Sequence, residues 1–311
     1  MSLINVIRNA TAAVAGSLLL ASTPVFAVAA PPAPFSALYV FGDSLSDNGN
    51  LFALTGGFPP APYFQGRFSN GPVAVEVLAG GLGLAAGQFH DKAIAGAMTG
   101  TGGQFPSSGM LNQVAGFQAS LQGAQADGGA LYFVWGGAND LRGGVSIGEA
   151  IGNLSNIVST LHGLGARKFL LPNLPDLGLT PEAREGGGAA QASFASVVFN
   201  QQLAAAYGAL ATQWSDEQFF YFDAFGAQHA ITDGSASNGF NNVSNRCFDS
   251  RVPSLCATPS AYLYWDNIHP TAAAHQILGN QMLAAVPEPQ AMLMMAVGLL
   301  GLLAATRRRQ A

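Results

Sequence analysis

The chain has 311 residues, of which 49% are hydrophobic and only 9% are charged, and its net charge is −5. This hydrophobic content is enough for a sizeable buried core, and the 39 Gly and 17 Pro indicate many loops. The slightly acidic balance provides no basic surface, so we expect no nucleic-acid partner.

The amino end has the features of a secretory signal peptide. Arg8 precedes an apolar run, and Ala27 and Ala29 form a small-x-small site, so we expect cleavage after Ala29. The alternative is an uncleaved anchor, although the apolar run is shorter than the ~20 residues of a spanning helix. We therefore assign residues 1–29 to the signal peptide and residues 30–285 to one globular domain.

Short apolar runs alternate with segments of helical periodicity along this domain. The predicted strands are residues 38–40, 88–93, 131–135, 168–172 and 219–223. The predicted helices are residues 71–82, 111–121, 147–164, 189–214 and 270–282. Because strands that alternate with helices form parallel sheets with right-handed crossovers, we expect a three-layer α/β/α sandwich around a five-stranded parallel sheet.

Polar residues follow three of the predicted strands. Ser44 lies in the segment Phe-Gly-Asp-Ser-Leu-Ser-Asp after the first strand, Gly96 follows the second, and Asn139 follows the third. Open α/β sheets keep their active sites at the carboxyl ends of such strands. Two structural alternatives stay open, because Ser44 also fits a Ser-x-x-Asp capping box with Asp47 and Asn139 also fits an Asx turn.

A carboxylate and an imidazole lie three residues apart near the end of the domain, at Asp266 and His269. A serine hydroxyl is a weak nucleophile and needs a base that is held in one tautomer. In a tight turn, Asp266 reaches one ring nitrogen while the other faces Ser44, and Pro270 favours this by excluding helical backbone at His269. The structural alternative is a turn-forming aspartate before a helix-cap histidine.

Three other sets of residues have less specific explanations. Four carboxylates could form an acidic metal site for phosphoester hydrolysis, although no clustered His/Asp ligand motif accompanies them: Asp43, Asp47, Asp140 and Asp266. Four aromatic side chains near prolines could line an acyl pocket but equally suit packing: Phe58, Tyr63, Phe64 and Phe68. The remaining histidines are expected to be surface or satisfied polar residues: His90, His162, His229 and His275.

Taken together, these segments resemble the GDSL esterase/lipase family, also called SGNH hydrolases. Further segments resemble the same family in the same order, over about residues 36–285: Gly-Arg-Phe-Ser-Asn-Gly at 66–71, Asn-Leu-Pro-Asp-Leu-Gly at 173–178, Phe-Asn at 199–200 and Tyr-Leu-Tyr-Trp at 262–265. The sequence differs at Asp91, where the family has Asn, and at Ala95, where Gly is common. The resemblance implies a flavodoxin-like strand order.

The resemblance also implies an exported serine ester hydrolase that works through an acyl-enzyme and needs no cofactor. Ser44 would be the nucleophile, His269 the base and Asp266 its orienting carboxylate. The oxyanion hole would comprise the N–H groups of Ser44 and Gly96 and the side-chain amide of Asn139. Asp43 and Asp140 would order their loops through hydrogen bonds to backbone N–H groups.

The expected substrate is an ester of a lipid, a short acyl group or an acylated polysaccharide. Two alternatives stay open at this stage. The domain could be a catalytically inactive surface protein that binds polysaccharide, or a polysaccharide deacetylase or acyltransferase that uses the same triad.

Cys247 and Cys256 are the only cysteines in the chain. They lie in a polar loop, and export to an oxidising compartment makes a disulfide between them the expected state. Two free thiols are the alternative.

The carboxyl end carries a second targeting signal. Val-Pro-Glu-Pro at 286–289 precedes an apolar run over 291–305 and three arginines at 307–309. The prolines would interrupt regular structure, the apolar run is marginally long enough for a membrane helix, and the arginines would stay on the cytoplasmic side. Residues 286–311 resemble the PEP-CTERM sorting signal of exopolysaccharide-producing Gram-negative bacteria, which implies an exosortase partner.

The alternative to that sorting signal is a plain C-terminal anchor. We expect the helix to contact the inner membrane before processing. The mature protein would then reside in the periplasm, on the outer surface or in the extracellular matrix.

Overall fold

A computed structural model describes residues 35–234, 238–252 and 254–286. The predicted signal peptide and all but the first residue of the predicted sorting segment lie outside these residues. The strands are β1 Leu38–Gly42, β2 Phe89–Asp91, β3 Leu131–Trp135, β4 Lys168–Pro172, β5 Gln218–Phe222, β6 Asn242–Arg246, β7 Phe248–Asp249, β8 Ser254–Leu255 and β9 Tyr262–Tyr264. The helices are α1 Asn50–Thr55, α2 Ala74–Gly81, α3 Met110–Ser120, α4 Ala138–Arg142, α5 Ile147–Leu164, α6 Pro181–Glu185, α7 Ala189–Gln213, α8 Ala224–Asp233 and α9 Ala272–Ala285.

The first five strands form one parallel sheet in the order β2-β1-β3-β4-β5. This is the flavodoxin-like order, and it places β1 between β2 and β3, with Leu38 opposite both Phe89 and Leu131. The four remaining strands form two small pairs, β6 with β9 and β7 with β8. The predicted α/β/α fold with a five-stranded parallel sheet is therefore confirmed.

Alternate residues of each central strand face the two helical layers. In β3, Leu131, Phe133 and Trp135 pack in the core formed with α2, α8 and α9. Tyr132 and Val134 pack in the core formed with α3, α5 and α7. All five side chains are buried, which explains why the strand reads as a continuous apolar run and not as an alternating one.

Several element boundaries differ from the prediction: the helix predicted from residue 71 begins at Ala74, the strand predicted over 88–93 spans Phe89–Asp91, and two others are set by polar side chains that cap helices. The last helix begins at Ala272 and not at residue 270, since the Thr271 hydroxyl accepts the N–H of Ala274 as the N-cap. The fifth strand ends before Asp223, whose carboxylate caps α8 by accepting the N–H of Gly226 at 3.0 Å. Helix α8 itself is absent from the predicted elements.

The predicted disulfide between Cys247 and Cys256 is present. The disulfide closes the hairpin of β7 and β8. Hydrogen bonds join this hairpin to Trp265, the residue that precedes Asp266. The N–H groups of Cys247 and Phe248 both donate to the Trp265 carbonyl, at 3.1 and 2.7 Å. Across the part of the chain that the structure describes, no helix is long and apolar enough to span a membrane.

Candidate active site

Ser44 lies in the loop that follows β1. The residue is buried, and its Oγ lies 2.8 Å from Nε2 of His269. The capping alternative for Ser44 is wrong, because the Asp47 carboxylate caps α1 by accepting the N–H groups of residues 49–51 at 2.6–3.1 Å. The Ser44 hydroxyl is thus left to His269.

His269 and Asp266 lie in the tight turn between β9 and α9. The ring Nδ1 lies 2.7 Å from Oδ2 and 2.9 Å from Oδ1 of Asp266, as the three-residue spacing predicts. Oδ1 also accepts the N–H groups of Ile268 and His269, at 3.0 and 2.8 Å. Burial alone would raise the pKa of Asp266, but the His269 ring and these N–H donors outweigh burial and lower that pKa. The carboxylate is therefore held ionised beside the imidazole.

Gly96 lies in the loop after β2 with φ +78°, in the left-handed region. A Cβ at this position would lie 2.7 Å from the Cβ of Gln104, so both conformation and space require glycine. The N–H of the neighbouring Ala95 donates to Oδ2 of Asp47 at 2.8 Å. The carboxylate that caps α1 therefore also attaches the Gly96 loop to the serine loop.

The three predicted oxyanion donors have free hydrogens. Among the described residues, the N–H groups of Ser44 and Gly96 donate no hydrogen bond. The Asn139 side-chain amide donates one hydrogen to the Ala97 carbonyl at 2.9 Å. An amide nitrogen carries two hydrogens, so one remains for another acceptor. The bond to Ala97 joins the Asn139 turn to the loop that contains Gly96.

Two further buried carboxylates order the loops of the site. Asp43 accepts the N–H of Leu45 at 3.0 Å, as predicted. Burial raises the pKa of Asp43 to about 6. Asp140 differs from its predicted role, because it accepts the N–H and the hydroxyl of Thr99, in another loop, at 2.9 and 2.6 Å. Burial raises the pKa of Asp140, and the Thr99 donors oppose that rise.

The four carboxylates of the metal-site alternative serve separate backbone segments. Asp43 bonds Leu45, Asp47 bonds the start of α1, Asp140 bonds Thr99 and Asp266 bonds His269. Across residues 35–234, 238–252 and 254–286, no group of three or more His, Cys, Asp or Glu side chains could hold a metal ion.

Tyr63 and Phe68 contact the Asp266–His269 turn from the loop after α1. The Tyr63 hydroxyl donates to Oδ2 of Asp266 at 2.8 Å, and the Phe68 ring lies 5.0 Å from the His269 ring. Sequence reasoning missed both contacts, because about 200 residues separate the partners and no local pattern relates them. The residues considered for an acyl pocket, including Phe58 and Phe64, do not line the cavity beside Ser44.

A cavity of about 390 Å³ opens beside the Ser44 hydroxyl. Ser44, Asn139 and His269 line it, together with mostly apolar side chains, several of which belong to α4, α7 and α8. Among the other four histidines, His275 is buried with its Nδ1 accepting the N–H of Ala74 at 3.2 Å, and burial lowers its pKa to about 3. None of those four histidines lines the cavity.

Two family models match the chain. The model described as GDSL-like Lipase/Acylhydrolase matches residues 38–282, and the PEP-CTERM protein-sorting motif matches residues 285–309. The first match contains every site residue described in this subsection. The second match implies export from a Gram-negative cell and processing by an exosortase-type enzyme.

Several known proteins are similar over most of the chain. The Phosphatidylcholine-sterol acyltransferase of Aeromonas hydrophila is 30% identical, over 79% of this chain and 88% of that protein. GDSL esterase/lipase At1g71691 of Arabidopsis thaliana is 26% identical, over 91% of this chain and 92% of that protein. Among solved structures, LAE5, an alpha/beta hydrolase enzyme from the metagenome of Lake Arreo, is 18% identical with a TM-score of 0.47, over 82% of this chain and 97% of that one.

The raised pKa of Asp43 has a measurable effect on stability. The pKa is about 6 in the folded protein against an ordinary 3.8, so the folded state binds the proton more tightly. The ionised carboxylate therefore lowers stability above about pH 6, and this loss disappears as the pH falls below about 4. We expect Asp43→Asn, which keeps an acceptor for Leu45, to raise the free energy of unfolding by ~2–3 kcal/mol at pH 8 and by little at pH 4.

Urea denaturation at both pH values measures this difference. Asp216→Asn, at an exposed position, is the control for removal of a carboxylate. Equal stability of wild type and Asp43→Asn at pH 8 would contradict the account of Asp43.

Proposed function

Because the chain belongs to the GDSL-like lipase/acylhydrolase family, we propose that it is a serine hydrolase that cleaves carboxylic esters through an acyl-enzyme. The observation that carries this proposal is the continuous hydrogen-bonded series from Ser44 Oγ through the His269 ring to Asp266, with contacts of 2.8 and 2.7 Å. A serine with no base in contact has no means of losing its proton at neutral pH.

The reaction follows from the positions of these groups. Ser44 Oγ attacks the ester carbonyl carbon while its proton moves to Nε2 of His269. Asp266 holds the ring through Nδ1 and stabilises the imidazolium that forms. His269 then gives the proton to the leaving alcohol, which departs and leaves an ester between Ser44 and the acyl group. Water, deprotonated by His269, attacks that ester, and the acid leaves as Ser44 takes back its proton.

Each attack places negative charge on the carbonyl oxygen. The proposed donors to this oxygen are the free N–H groups of Ser44 and Gly96 and the remaining amide hydrogen of Asn139. The bonds from Ala95 to Asp47 and from Asn139 to Ala97 support this proposal, because they hold the donor-bearing loops in place before substrate binds.

The acyl-enzyme could also pass its acyl group to another alcohol. The relative from Aeromonas hydrophila is named an acyltransferase, and both reactions share the first half of the mechanism. We propose hydrolysis for this chain. Products analysed in the presence of an acceptor alcohol would distinguish the two reactions.

We further propose a division of the chain into three parts. Residues 1–29 are a cleaved signal peptide, residues 30–285 are the hydrolase domain and residues 286–311 are the sorting segment. The match to the PEP-CTERM motif supports an exported enzyme that an exosortase processes at its carboxyl end.

Loss of the Ser44 hydroxyl tests the proposed reaction. We expect Ser44→Ala to lower kcat on p-nitrophenyl butyrate by at least about 10⁴-fold, because among the described residues Ser44 supplies the only hydroxyl bonded to the His269 ring. Ser46→Ala is the matched control, since this serine lies in the same loop and its buried Oγ has no hydrogen-bond partner among the described residues. Turnover by Ser44→Ala equal to that of wild type would contradict the proposal.

In the same assay, Asn139→Ala separates transition-state stabilisation from the nucleophile. We expect kcat to fall about 10²–10³-fold with a much smaller change in KM, as for loss of one oxyanion donor. An unchanged kcat would remove Asn139 from the oxyanion hole.

A further inference from the structure

The cavity beside Ser44 extends into the hydrophobic core. It is lined by Ser44 and His269 and also by Ala224, Ile231 and Leu278. The last three residues are at most 8% exposed and belong to the core between the sheet and helices α8 and α9. The cavity therefore connects the nucleophile with side chains of the hydrophobic core.

The cavity lining is mostly apolar, as is typical of clefts that bind organic ligands. Small side chains on α7 leave room on one wall, where Ala192 and Ala195 are one turn apart on the same face. A mostly apolar cleft of this size has room for an extended acyl chain.

Two pairs of polar side chains on the cavity wall bond each other. Gln228 and Tyr264 bond each other at 2.7 Å, and Arg142 and Glu182 form a two-bond ion pair at 2.8 Å. Arg142 and Glu182 are both partly exposed, so their charges lie on the solvent side of the cavity. Apart from Gln191 and the residues around Ser44, the remaining lining is mostly apolar and suits a hydrocarbon chain better than a sugar.

Building on the proposed hydrolase function, we infer that the cavity binds the acyl chain of the substrate and that the substrates are medium- to long-chain fatty acyl esters. An acetyl group would leave almost all of the apolar wall without contacts. The alcohol part of the ester would lie outside, beyond the ion pair of Arg142 and Glu182. Ala192 and Ala195 then set the longest chain that fits.

Chain-length profiles test this inference. For wild type, we expect kcat/KM on p-nitrophenyl esters, each below its micelle concentration, to rise about fourfold per methylene from acetate and to level off once the chain fills the cavity. Ala195→Phe should move the optimum to shorter chains and lower the decanoate-to-butyrate ratio of kcat/KM at least tenfold. Ala192→Phe provides a second variant of the same wall should Ala195→Phe fold poorly.

Ala205→Phe is the matched control, because this alanine is exposed on the same helix and lies outside the cavity. Its profile should equal that of wild type. A wild-type profile that peaks at acetate, or an unaltered profile in both wall variants, would overturn the inference. If either result is seen while activity still depends on Ser44, the proposed hydrolase function stands and only the acyl-chain inference fails. If activity does not depend on Ser44, the hydrolase function itself is refuted.

A separate observation concerns the Asp266 carboxylate. Its Oδ2 is 2.7 Å from the His269 Nδ1 and also accepts the Tyr63 hydroxyl at 2.8 Å. Among the described residues, Tyr63 is the only side chain besides His269 that bonds this carboxylate. The Tyr63 ring packs against Phe248 and Trp265, with centroids 5.6 and 6.3 Å away, so the phenol is fixed in direction.

Burial raises the pKa of Tyr63, so the phenol stays a hydrogen-bond donor throughout the working pH range. The geometry points to Tyr63 as a positioning residue that fixes the Asp266 carboxylate and, through it, the His269 ring. Tyr63 touches none of the reacting atoms itself.

A double-mutant cycle tests this role. We expect Tyr63→Phe, which removes only the hydroxyl, to lower kcat about tenfold with KM within about twofold, and to have no further effect in an Asp266→Ala background. Tyr221→Phe, at an exposed position, is the control and should match wild type. An unchanged kcat in Tyr63→Phe would overturn this role. The same fold-decrease in kcat with Asp266 present and with Asp266→Ala would also overturn it, because a general disturbance of the Tyr63 loop would not depend on Asp266.

Discussion

The site depends on the buried carboxylate of Asp47. This single group accepts four backbone N–H groups, three at the start of α1 and one from Ala95, and thereby fixes the serine loop and the Gly96 loop relative to each other. Backbone donors are rigid, and a carboxylate that accepts several of them is ordered in return. The proposed oxyanion donors on Ser44 and Gly96 owe their positions to this arrangement.

Three other carboxylates around the site order loops in the same way. Each lies in or near the core and accepts an N–H group from a loop at a strand end: Asp43, Asp91 and Asp140. Burial raises the pKa of all three, which means that their ionised forms lower the stability of the fold. These carboxylates therefore fix the loops at the carboxyl edge of the sheet but lower the stability of the fold. Such buried charges are common at functional sites.

The sequence was informative wherever a property is local. Strands such as β3 are continuous apolar runs. Ser44, Gly96 and Asn139 follow the carboxyl ends of β1, β2 and β3. The three-residue spacing of Asp266 and His269 likewise predicts their contact, because only one turn of chain separates them.

Contacts between distant segments could not be predicted in this way. The Tyr63 hydroxyl meets Asp266 only because the loop after α1 folds over the β9–α9 turn, and the role of Asp140 depends on Thr99 in another loop. The aromatic residues near the prolines, which suited either an acyl pocket or packing, do not line the cavity, and α4, α7 and α8 contribute much of its wall instead. Helix α7 reads as an ordinary apolar segment and α8 was not predicted, and small residues on a helix carry no sequence signature of a cavity.

The most direct test of the account is covalent labelling of the full chain by a fluorophosphonate, followed by intact-mass measurement and peptide mapping. An activated serine next to an imidazole should take one adduct per molecule, located at Ser44 and absent from Ser44→Ala. Labelling of a different residue, equal labelling of Ser44→Ala, or no adduct on folded protein would contradict the assignment of Ser44 as the nucleophile.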